Sequence, residues 1–459
     1  MTAAAIPDSV LELIGNTPAV ELKGFDTGPC QLFLKLENQN PGGSIKDRIA
    51  VSMIGAAEQD GRLKPGGTIV EATAGNTGIG LAVVAAAKGY KLILVLPDKM
   101  SAEKIAHLRA FGCDIRLTRS DVGPDHHDHY MNLAAQITKK GGDEYFNVNQ
   151  FSNPANPLAH QQTTGPEIWS QLDRRVDAIV CGVGSGGTIT GLSRFFSDVS
   201  PETEFILADP KGSALAGYVN NGAPGPAGSY ATEGIGQNCI PKIADLSRVR
   251  KAYSIGDAES FQTARDLLRR FGILGGSSSG CLVAAALRYC REQTIAKRVV
   301  TFICDTGNKY LSKMYSDYWM IDQGYVERPQ TGDLRDLLTR RYEEGALITV
   351  GPDDPLLTAF QRMRLADVSQ VPVIENGECI GILDESDLLF AVHSDETRFK
   401  RPVRFAMTSR LETVPVSAKL EAVLGVLDRG LVALVTDGSK FLGLITRSDL
   451  LSHLRRRIR

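Results

Sequence analysis

The sequence predicts an α/β protein built on mostly parallel sheet, followed by a smaller module made of two repeated units. Three observations predict this. From Gln31 to about Ile303, short apolar strand candidates alternate with amphipathic helical stretches, the rhythm of strand–helix–strand units. Several of those strands run straight into loops rich in glycine and hydroxyl residues that open helices, the place where ligands bind in such folds. Beyond Gly345, two segments of the same pattern follow one another, as an internal repeat does.

The 459 residues suit two or three domains. A hydrophobic content of 43% with 23% charged residues supports a large core in a globular protein. The formal net charge of -2 gives no electrostatic reason to expect nucleic acid or anionic lipid as a partner. Met1 to Pro7 lacks the basic-then-apolar pattern of a signal peptide, and no apolar run reaches membrane-spanning length. The eight cysteines are scattered without any C-x-x-C pair and read as reduced thiols of a cytoplasmic protein.

Strand Leu32–Leu36 comes first. It leads to Pro41-Gly42-Gly43-Ser44-Ile45-Lys46-Asp47-Arg48. Ser44 is a suitable N-cap there, Asp47 suits the positive end of the helix dipole, and Ile45, Ile49, Met53, Ile54 and Ala57 give the helix an apolar face. Lys46 then sits in the first turn, where the positive pole disfavours an ammonium and prepares an amine for base or Schiff-base chemistry. Strand Thr68–Ala72 precedes the loop Thr73-Ala74-Gly75-Asn76-Thr77-Gly78 and a helix from Thr77 to Lys88, a ready carboxylate site at a helix N-terminus. Strand Leu92–Leu96 precedes a helix from Ser101 to Phe111. His126, His127, Asp128 and His129 invite a metal reading. They lie in a polar loop with no cysteine or further acid to complete a shell, so a solvated loop is expected.

Strand Val176–Cys181 feeds Gly182-Val183-Gly184-Ser185-Gly186-Gly187-Thr188 and a helix through Phe196. Bare backbone N–H groups with the Ser185 and Thr188 hydroxyls can wrap a phosphate. The loop also satisfies G-x-G-x-x-G, and Asp209 closes the next strand (Phe205–Ala208) where a ribose-binding acid would stand. Taken alone, it fits a single phosphate and a dinucleotide equally. Leu274-Gly275-Gly276-Ser277-Ser278-Ser279-Gly280 opens the helix Cys281–Tyr289, with one serine expected to cap it and another to face the cleft; strand Val299–Ile303 follows.

The lysine, the asparagine loop, the glycine cradle and the late serine, in that order, resemble the fold-type II pyridoxal-phosphate enzymes of the cysteine synthase and cystathionine β-synthase family, over almost all of Val10 to about Gln323. The resemblance implies a tryptophan synthase β-like, parallel-sheet-based fold of two subdomains and a catalytic domain over 1–323. It implies that Lys46 carries pyridoxal 5'-phosphate as a Schiff base and later moves the Cα proton. It implies that Asn76 hydrogen-bonds the phenolic oxygen, that Gly184, Ser185, Gly186, Gly187 and Thr188 hold the phosphate, and that Ser277 faces the pyridine nitrogen. Thr73, Gly75, Asn76, Thr77 and Gln150 would line the substrate carboxylate site, and the Glu233-Gly234-Ile235-Gly236 segment would cover the substrate.

The implied activity is a lyase-type β-replacement that condenses L-serine with L-homocysteine, with hydrogen sulfide release from cysteine as a side activity. The alternative is sulfhydrylation of O-acetylserine. Asp98-Lys99-Met100-Ser101-Ala102-Glu103-Lys104 and the run from Asn308 to Lys313 into Ser316–Met320 are similar to cystathionine β-synthases. Ala74, Phe151 and Gln237 depart from the serine and tyrosines of the animal members, and Phe151 after Gln150 is closer to the sulfhydrylases. The leaving group and the thiol acceptor therefore stay open. The few residues before Val10 leave no room for the haem segment of the animal members, so no haem is expected. The family implies small amino-acid substrates and a homodimer or higher homo-oligomer.

Gly324 to Glu344 is rich in arginine, acids and glycine, and reads as a linker (324–345) with a short charged helix. Two units follow, about 346–398 and 405–459. Val371–Ile374 leads to Gly381–Leu388, and Val432–Val435 leads to Gly443–Leu450. The pair resembles a Bateman module of two CBS repeats, which commonly binds adenosyl ligands such as S-adenosylmethionine, AMP or ATP. In that family a threonine and an aspartate so spaced grip the ribose, and Thr446 and Asp449 match, whereas Asp384 replaces the threonine in the first unit. Ligand sensing and simple dimerisation both remain open for the module. The final Arg455, Arg456, Arg457 and Arg459 are expected to form a solvated helix end.

Overall fold

The computed structural model describes residues 6–73, 75–98, 101–123 and 125–456; Ala74, Lys99, Met100, Arg457 and Arg459 lie outside the described residues. The chain forms two compact units that divide between Tyr315 and Ser316.

In the first unit, β1 (Ala19–Glu21) and β2 (Gln31–Lys35) pair antiparallel and lead to α1 (Lys46–Gln59). Next come β3 (Thr68–Ala72), α2 (Asn76–Lys88), β4 (Lys91–Pro97), α3 (Ala102–Ala110), β5 (Asp114–Thr118), α4 (Tyr130–Gly141) and β6 (Tyr145–Asn147). The four strands β3 to β6 make one all-parallel sheet in the order β5-β4-β3-β6. α5 (Ala155–Ala159) and α6 (Gly165–Gln171) flank a single π-helical turn at His160–Thr164. The chain then alternates through β7 (Ala178–Cys181), α7 (Gly187–Val199), β8 (Glu204–Pro210), α8 (Leu215–Asn221) and β9 (Val249–Ile255). α9 (Asp257–Phe271), α10 (Ser277–Arg291) and β10 (Arg298–Phe302) complete the unit. These strands join β1 and β2 in a six-stranded sheet ordered β1-β2-β10-β7-β8-β9, parallel except at β1. The expected parallel α/β rhythm is therefore split into two sheets.

Each sheet has its own core. β3 is buried along its whole length, as a parallel strand covered on both faces must be. α10 is buried nearly all round, from Ser277 through Leu287, which marks a helix inside the core rather than on its surface. The face of α1 foreseen from Ile49, Met53, Ile54 and Ala57 packs with α2 in the core of the four-stranded sheet, whereas Ile45 joins the other core. Lys46 therefore sits where the two cores meet.

The second unit begins with α11 (Asp317–Asp322). α12 (Leu356–Ala366), β11 (Gln370–Glu375), β12 (Glu378–Asp384) and α13 (Glu385–Val392) form one repeat. β13 (Thr413–Pro415), α14 (Leu420–Asp428), β14 (Ala433–Asp437), β15 (Lys440–Ile445) and α15 (Arg447–Arg456) form the other. The antiparallel pairs β11–β12 and β14–β15 each carry a register shift at the matching position, after Val373 and after Val435, so the repeat extends to its irregularities. Leu334, Leu337 and Leu338 are buried in the core of the second repeat. Arg455 ion-pairs with Asp322 at 2.9 Å, so this arginine of the last helix is not merely solvated. All eight cysteines are free, four of them buried and Cys239 exposed. Among the described residues no helix is long and apolar enough to cross a membrane.

Candidate active site

α1 starts at Lys46, one position later than a Ser44 cap would place it. Ile45 takes the capping position without a side-chain bond, while Ser44 Oγ accepts the Lys46 N–H at 3.2 Å. Asp47 lies in the first turn of α1, as its dipole role suggested. It is buried, its Oδ2 accepts the Gly42 N–H at 2.5 Å, and burial pushes its carboxyl up to about 7. Burial also lowers the pKa of Lys46, against the opposing pull of Cys304 and Asp305. Among the described residues Lys46 Nζ makes no hydrogen bond, so its amine is uncommitted.

Asn76 is the first residue of α2, preceded by Gly75 at φ 134, a conformation only glycine adopts freely. Its amide is held on both sides. Lys309 Nζ donates to Asn76 Oδ1 at 2.8 Å, and Asn76 Nδ2 donates to Asp305 Oδ2 at 2.8 Å. Thr73 Oγ1 accepts the Gly75 N–H at 3.2 Å, and the Thr77 hydroxyl donates to Gln150 Oε1 at 2.7 Å. Thr73, Gly75, Asn76 and Thr77 thus line the N-terminus of α2, and Gln150 is joined to it through Thr77.

The glycine loop lies between β7 and α7, wedged from behind. A Cβ on Gly184 would lie 2.4 Å from the Gly234 carbonyl oxygen, one on Gly186 2.4 Å from Ala244 Cβ, and one on Gly187 1.8 Å from Asn156 Oδ1. No side chain fits on that side, which leaves the N–H groups at the start of α7 bare for an anion. Asn156 Nδ2 donates to Ser185 Oγ at 3.0 Å and to the Gln150 carbonyl at 2.8 Å, so it joins the loop to the α2 patch. Thr188 Oγ1 lies 3.2 Å from His160 Nε2, and burial drives that imidazole well below its usual pKa, so it is neutral. Asp209, the would-be ribose acid, accepts the Ala216 N–H at 2.8 Å and so anchors α8.

The serine run does not cap α10. Gly276 is the capping residue and no side chain bonds there. Ser277 Oγ instead accepts the Glu233 N–H at 2.9 Å, and Ser279 Oγ accepts the Cys304 N–H at 2.9 Å. The Ser277 hydroxyl, which also contacts Tyr310, carries the one proton that an acceptor such as a pyridine nitrogen requires. Glu233 is gripped by Lys104 and Lys313, Lys104 Nζ also donates to Tyr310 Oη at 3.2 Å, and Tyr310 donates to Asp305 Oδ2 at 2.8 Å. One buried network thus runs from the Gly234 segment to Asn76. Asp305 Oδ1 in this network, and Asn156 Oδ1 behind the glycine loop, have no partner among the described residues.

Residues 10–305 match the pyridoxal-phosphate dependent enzyme family, and residues 334–394 and 403–456 each match the CBS domain. The chain is 34% identical to cystathionine β-synthase of Dictyostelium discoideum over 467 residues, covering 98% of this chain and 92% of that relative. The chain belongs to the cystathionine β-synthase family of pyridoxal-phosphate-dependent enzymes. It is 41% identical to the cystathionine β-synthase of Apis mellifera over 325 residues, which spans 70% of this chain and 64% of that longer relative. The solved O-acetylserine-dependent cystathionine β-synthase of Helicobacter pylori is 34% identical, with a TM-score of 0.62 over 68% of this chain and 99% of that one.

A family member of this fold requires an amine, a phosphate cradle and a hydroxyl for the coenzyme. Lys46, the wedged glycine loop and Ser277 fit those requirements. Asp305, Lys309, Asn156 and His160 were not foreseen. Asp305 follows β10 at its carboxyl end, a strand-to-loop signal of the same kind as those of Lys46, Asn76 and the glycine loop. His160 and Asn156 carry no such signal, since both come from the irregular α5–π–α6 stretch. His126, His127 and Asp128 stand apart on a polar loop, with His126 Nδ1 accepting the Asp128 N–H at 3.1 Å. In the second unit, Thr446 Oγ1 donates to Asp449 Oδ2 at 2.6 Å, whereas Asp384 and Asp387 close a capping box on α13.

Proposed function

We propose that the chain condenses L-serine with L-homocysteine to cystathionine by β-replacement at the first unit, with release of hydrogen sulfide from cysteine as a side activity. The observation that supports this is the buried network from Ser277 through Glu233, Lys104, Tyr310 and Asp305 to Asn76, set beside a buried Lys46 amine with no hydrogen bond among the described residues. When bound, pyridoxal phosphate supplies an electron sink for the charge that forms at the substrate Cα. Lys46, its ammonium disfavoured by burial, is the tether and the group that takes and returns the Cα proton. The N–H groups of Gly184 to Thr188, with the Ser185 and Thr188 hydroxyls, hold the phosphate.

The Asn76 amide binds the phenolic oxygen, and the Ser277 hydroxyl donates to the pyridine nitrogen without protonating it. That choice moderates the sink and favours prompt loss of the β-substituent. Thr73, Gly75, Thr77 and Gln150 orient the substrate carboxylate on the α2 N-terminus, and Gly234 with its neighbours excludes water. The likeness to an O-acetylserine-dependent relative, together with Phe151 and Gln237, supports O-acetylserine as the competing donor. Thr446 and Asp449 form the adenosyl-ligand site of the second unit, and the protein acts as a homodimer.

Borohydride trapping of the purified protein followed by peptide mapping tests the tether, with label expected on Lys46 alone. Product analysis with serine plus homocysteine, set against O-acetylserine plus sulfide, tests the donor. A kcat/KM higher for the second pair overturns the serine assignment.

A further inference from the structure

Lys309 reaches into the site from the short helical turn after β10 and is 3% exposed. Its Nζ donates to Asn76 Oδ1 at 2.8 Å, to the Gly42 carbonyl at 3.2 Å and to the Gly43 carbonyl at 3.3 Å. The titratable groups around it are Asp305, Asp47, Lys104 and His107, and burial lowers its pKa against the pull of the two acids. Two consequences follow from elementary chemistry. An ammonium has three donors and no acceptor, so it fixes which end of the Asn76 amide faces it. The oxygen is turned to Lys309, and the NH2 group is turned the other way. One of its hydrogens goes to Asp305 Oδ2 at 2.8 Å, and the second makes no bond among the described residues. The same ammonium also holds the Gly42–Gly43 carbonyls, three and four positions ahead of Lys46.

The geometry points to Lys309 as a positioning residue for the coenzyme: it orients the Asn76 amide so that Nδ2 donates to the phenolic oxygen, and it ties that amide to the loop carrying Lys46. The inference rests on the reading of the first unit as a pyridoxal-phosphate site. Its electrostatic corollary is a cation one amide away from the phenolic oxygen, which favours the ionised oxygen over the protonated one.

The test is the pH titration of the visible absorbance of the holoenzyme, with the coenzyme dissociation constant measured in parallel. Lys309→Met removes donor and charge at similar length, Lys309→Gln keeps a donor without charge, and Lys309→Arg keeps both. In Lys309→Met the midpoint at which the yellow, proton-bearing form of the lysine-bound coenzyme gives way to its deprotonated form moves up by about one pH unit, a tenfold change in the protonation ratio. Its coenzyme binding weakens by about tenfold for the loss of one charge-assisted bond. Lys309→Gln shows the same midpoint shift with tighter coenzyme binding than Lys309→Met, and Lys309→Arg restores both values. Lys309→Gln is read on its own should Lys309→Met not fold. A midpoint and a dissociation constant equal to the wild type in either uncharged variant overturn the assignment. A wild-type protein with no lysine-bound coenzyme fails the reading of the site itself, which the borohydride experiment detects separately.

Discussion

Glu233 and Lys104 form a 2.5 Å ion pair that ties the segment around Gly234 to α3, and Lys313 holds the other carboxylate oxygen at 2.7 Å. Burial raises the Glu233 pKa, but the two ammonium groups outweigh it and hold the carboxyl below its ordinary value. The Glu233 N–H is also bound to Ser277, so side chain and backbone together fix where the segment lies. Glu233→Gln keeps the shape and removes the charge, which costs the anchoring about 1.5–3 kcal/mol. The expected result is a faster proteolytic cut between 228 and 238 and a raised KM for the amino acid. A cleavage rate and KM equal to wild type would contradict this role.

Arg48 lies under the site, almost fully buried between two acids. Its guanidinium bonds both oxygens of Glu37 at 2.8 Å and both oxygens of Glu167 at 2.7 Å, and Lys35 adds a further bond to Glu167 at 2.7 Å. Removing the arginine leaves two carboxylates out of water without a full partner, so Arg48→Met destabilises the first unit by about 3–5 kcal/mol. The acid limb follows from Glu167. Burial works to raise its carboxyl, but Arg48 and Lys35 prevail and bring it down to about 2. A depressed carboxyl gives stability above its unfolded pKa that is lost as pH falls through the folded value. Chemical denaturation from pH 5 down to pH 2 is therefore expected to show a steep loss in wild type and a flatter one in Glu167→Gln.

What could be read in the sequence was periodic or tied to a strand-to-helix junction. β3, α2 and β4 stand within a residue of where alternation placed them, because a strand buried on both faces and a helix opened by glycine leave strong patterns. Lys46, Asn76 and the glycine loop each lie beyond a strand's carboxyl end, which is the signal that singled them out, whereas Ser277 follows α9 and its signal was the glycine–serine run itself. The sheet split was not legible, since nothing in a buried strand names its neighbour, and the order β5-β4-β3-β6 depends on packing across α1 and α2. Nor was the fate of the serine run. One serine of the run was expected to cap α10 and none does: Glu233 and Cys304 arrive from 44 and 25 residues away and their N–H groups take the oxygens of Ser277 and Ser279. Asp47 does stand in the first turn of α1, but its burial was not legible, because the dipole argument says nothing of solvent.

Gly187 tests the cradle directly. A Cβ there would lie 1.8 Å from Asn156 Oδ1 and 2.5 Å from Asn156 Cγ, and Asn156 is itself fixed by bonds to Gln150 and Ser185. The clash cannot be relieved by a flexible side-chain end. Gly187→Ala is expected to cost about 1–3 kcal/mol through overpacking and to push the loop off its anion-binding geometry. Coenzyme content after purification should fall, while a surface control such as Gly61→Ala, where a Cβ would meet nothing within 4 Å, tests strain alone because its φ is +71. Full coenzyme content in Gly187→Ala would show that the loop has room that the geometry denies it.

Glu71 gives a pH dependence of opposite sign. It sits in β3 behind Gln150, fully enclosed, with one oxygen receiving the Gln150 N–H at 3.4 Å and the other without a partner among the described residues. Burial raises its carboxyl to about 8, against the backbone N–H groups of Gln150 and Asn149. A raised acid is neutral in the fold across the range where the unfolded chain has already lost its proton. Its penalty is absent below the unfolded pKa of about 4.3, grows as pH rises, and levels off past about 8. Glu71→Gln keeps the acceptor and removes the titration, so the variant should gain on the wild type in melting temperature from pH 5 to pH 8, with a constant gap above that. A gap that does not change over pH 5 to pH 8 would mean that Glu71 is already ionised in the folded protein. Because Glu71 carries Gln150, the same titration should weaken amino-acid binding in the wild type as pH passes 8, and Glu71→Gln should remove that limb of the KM profile.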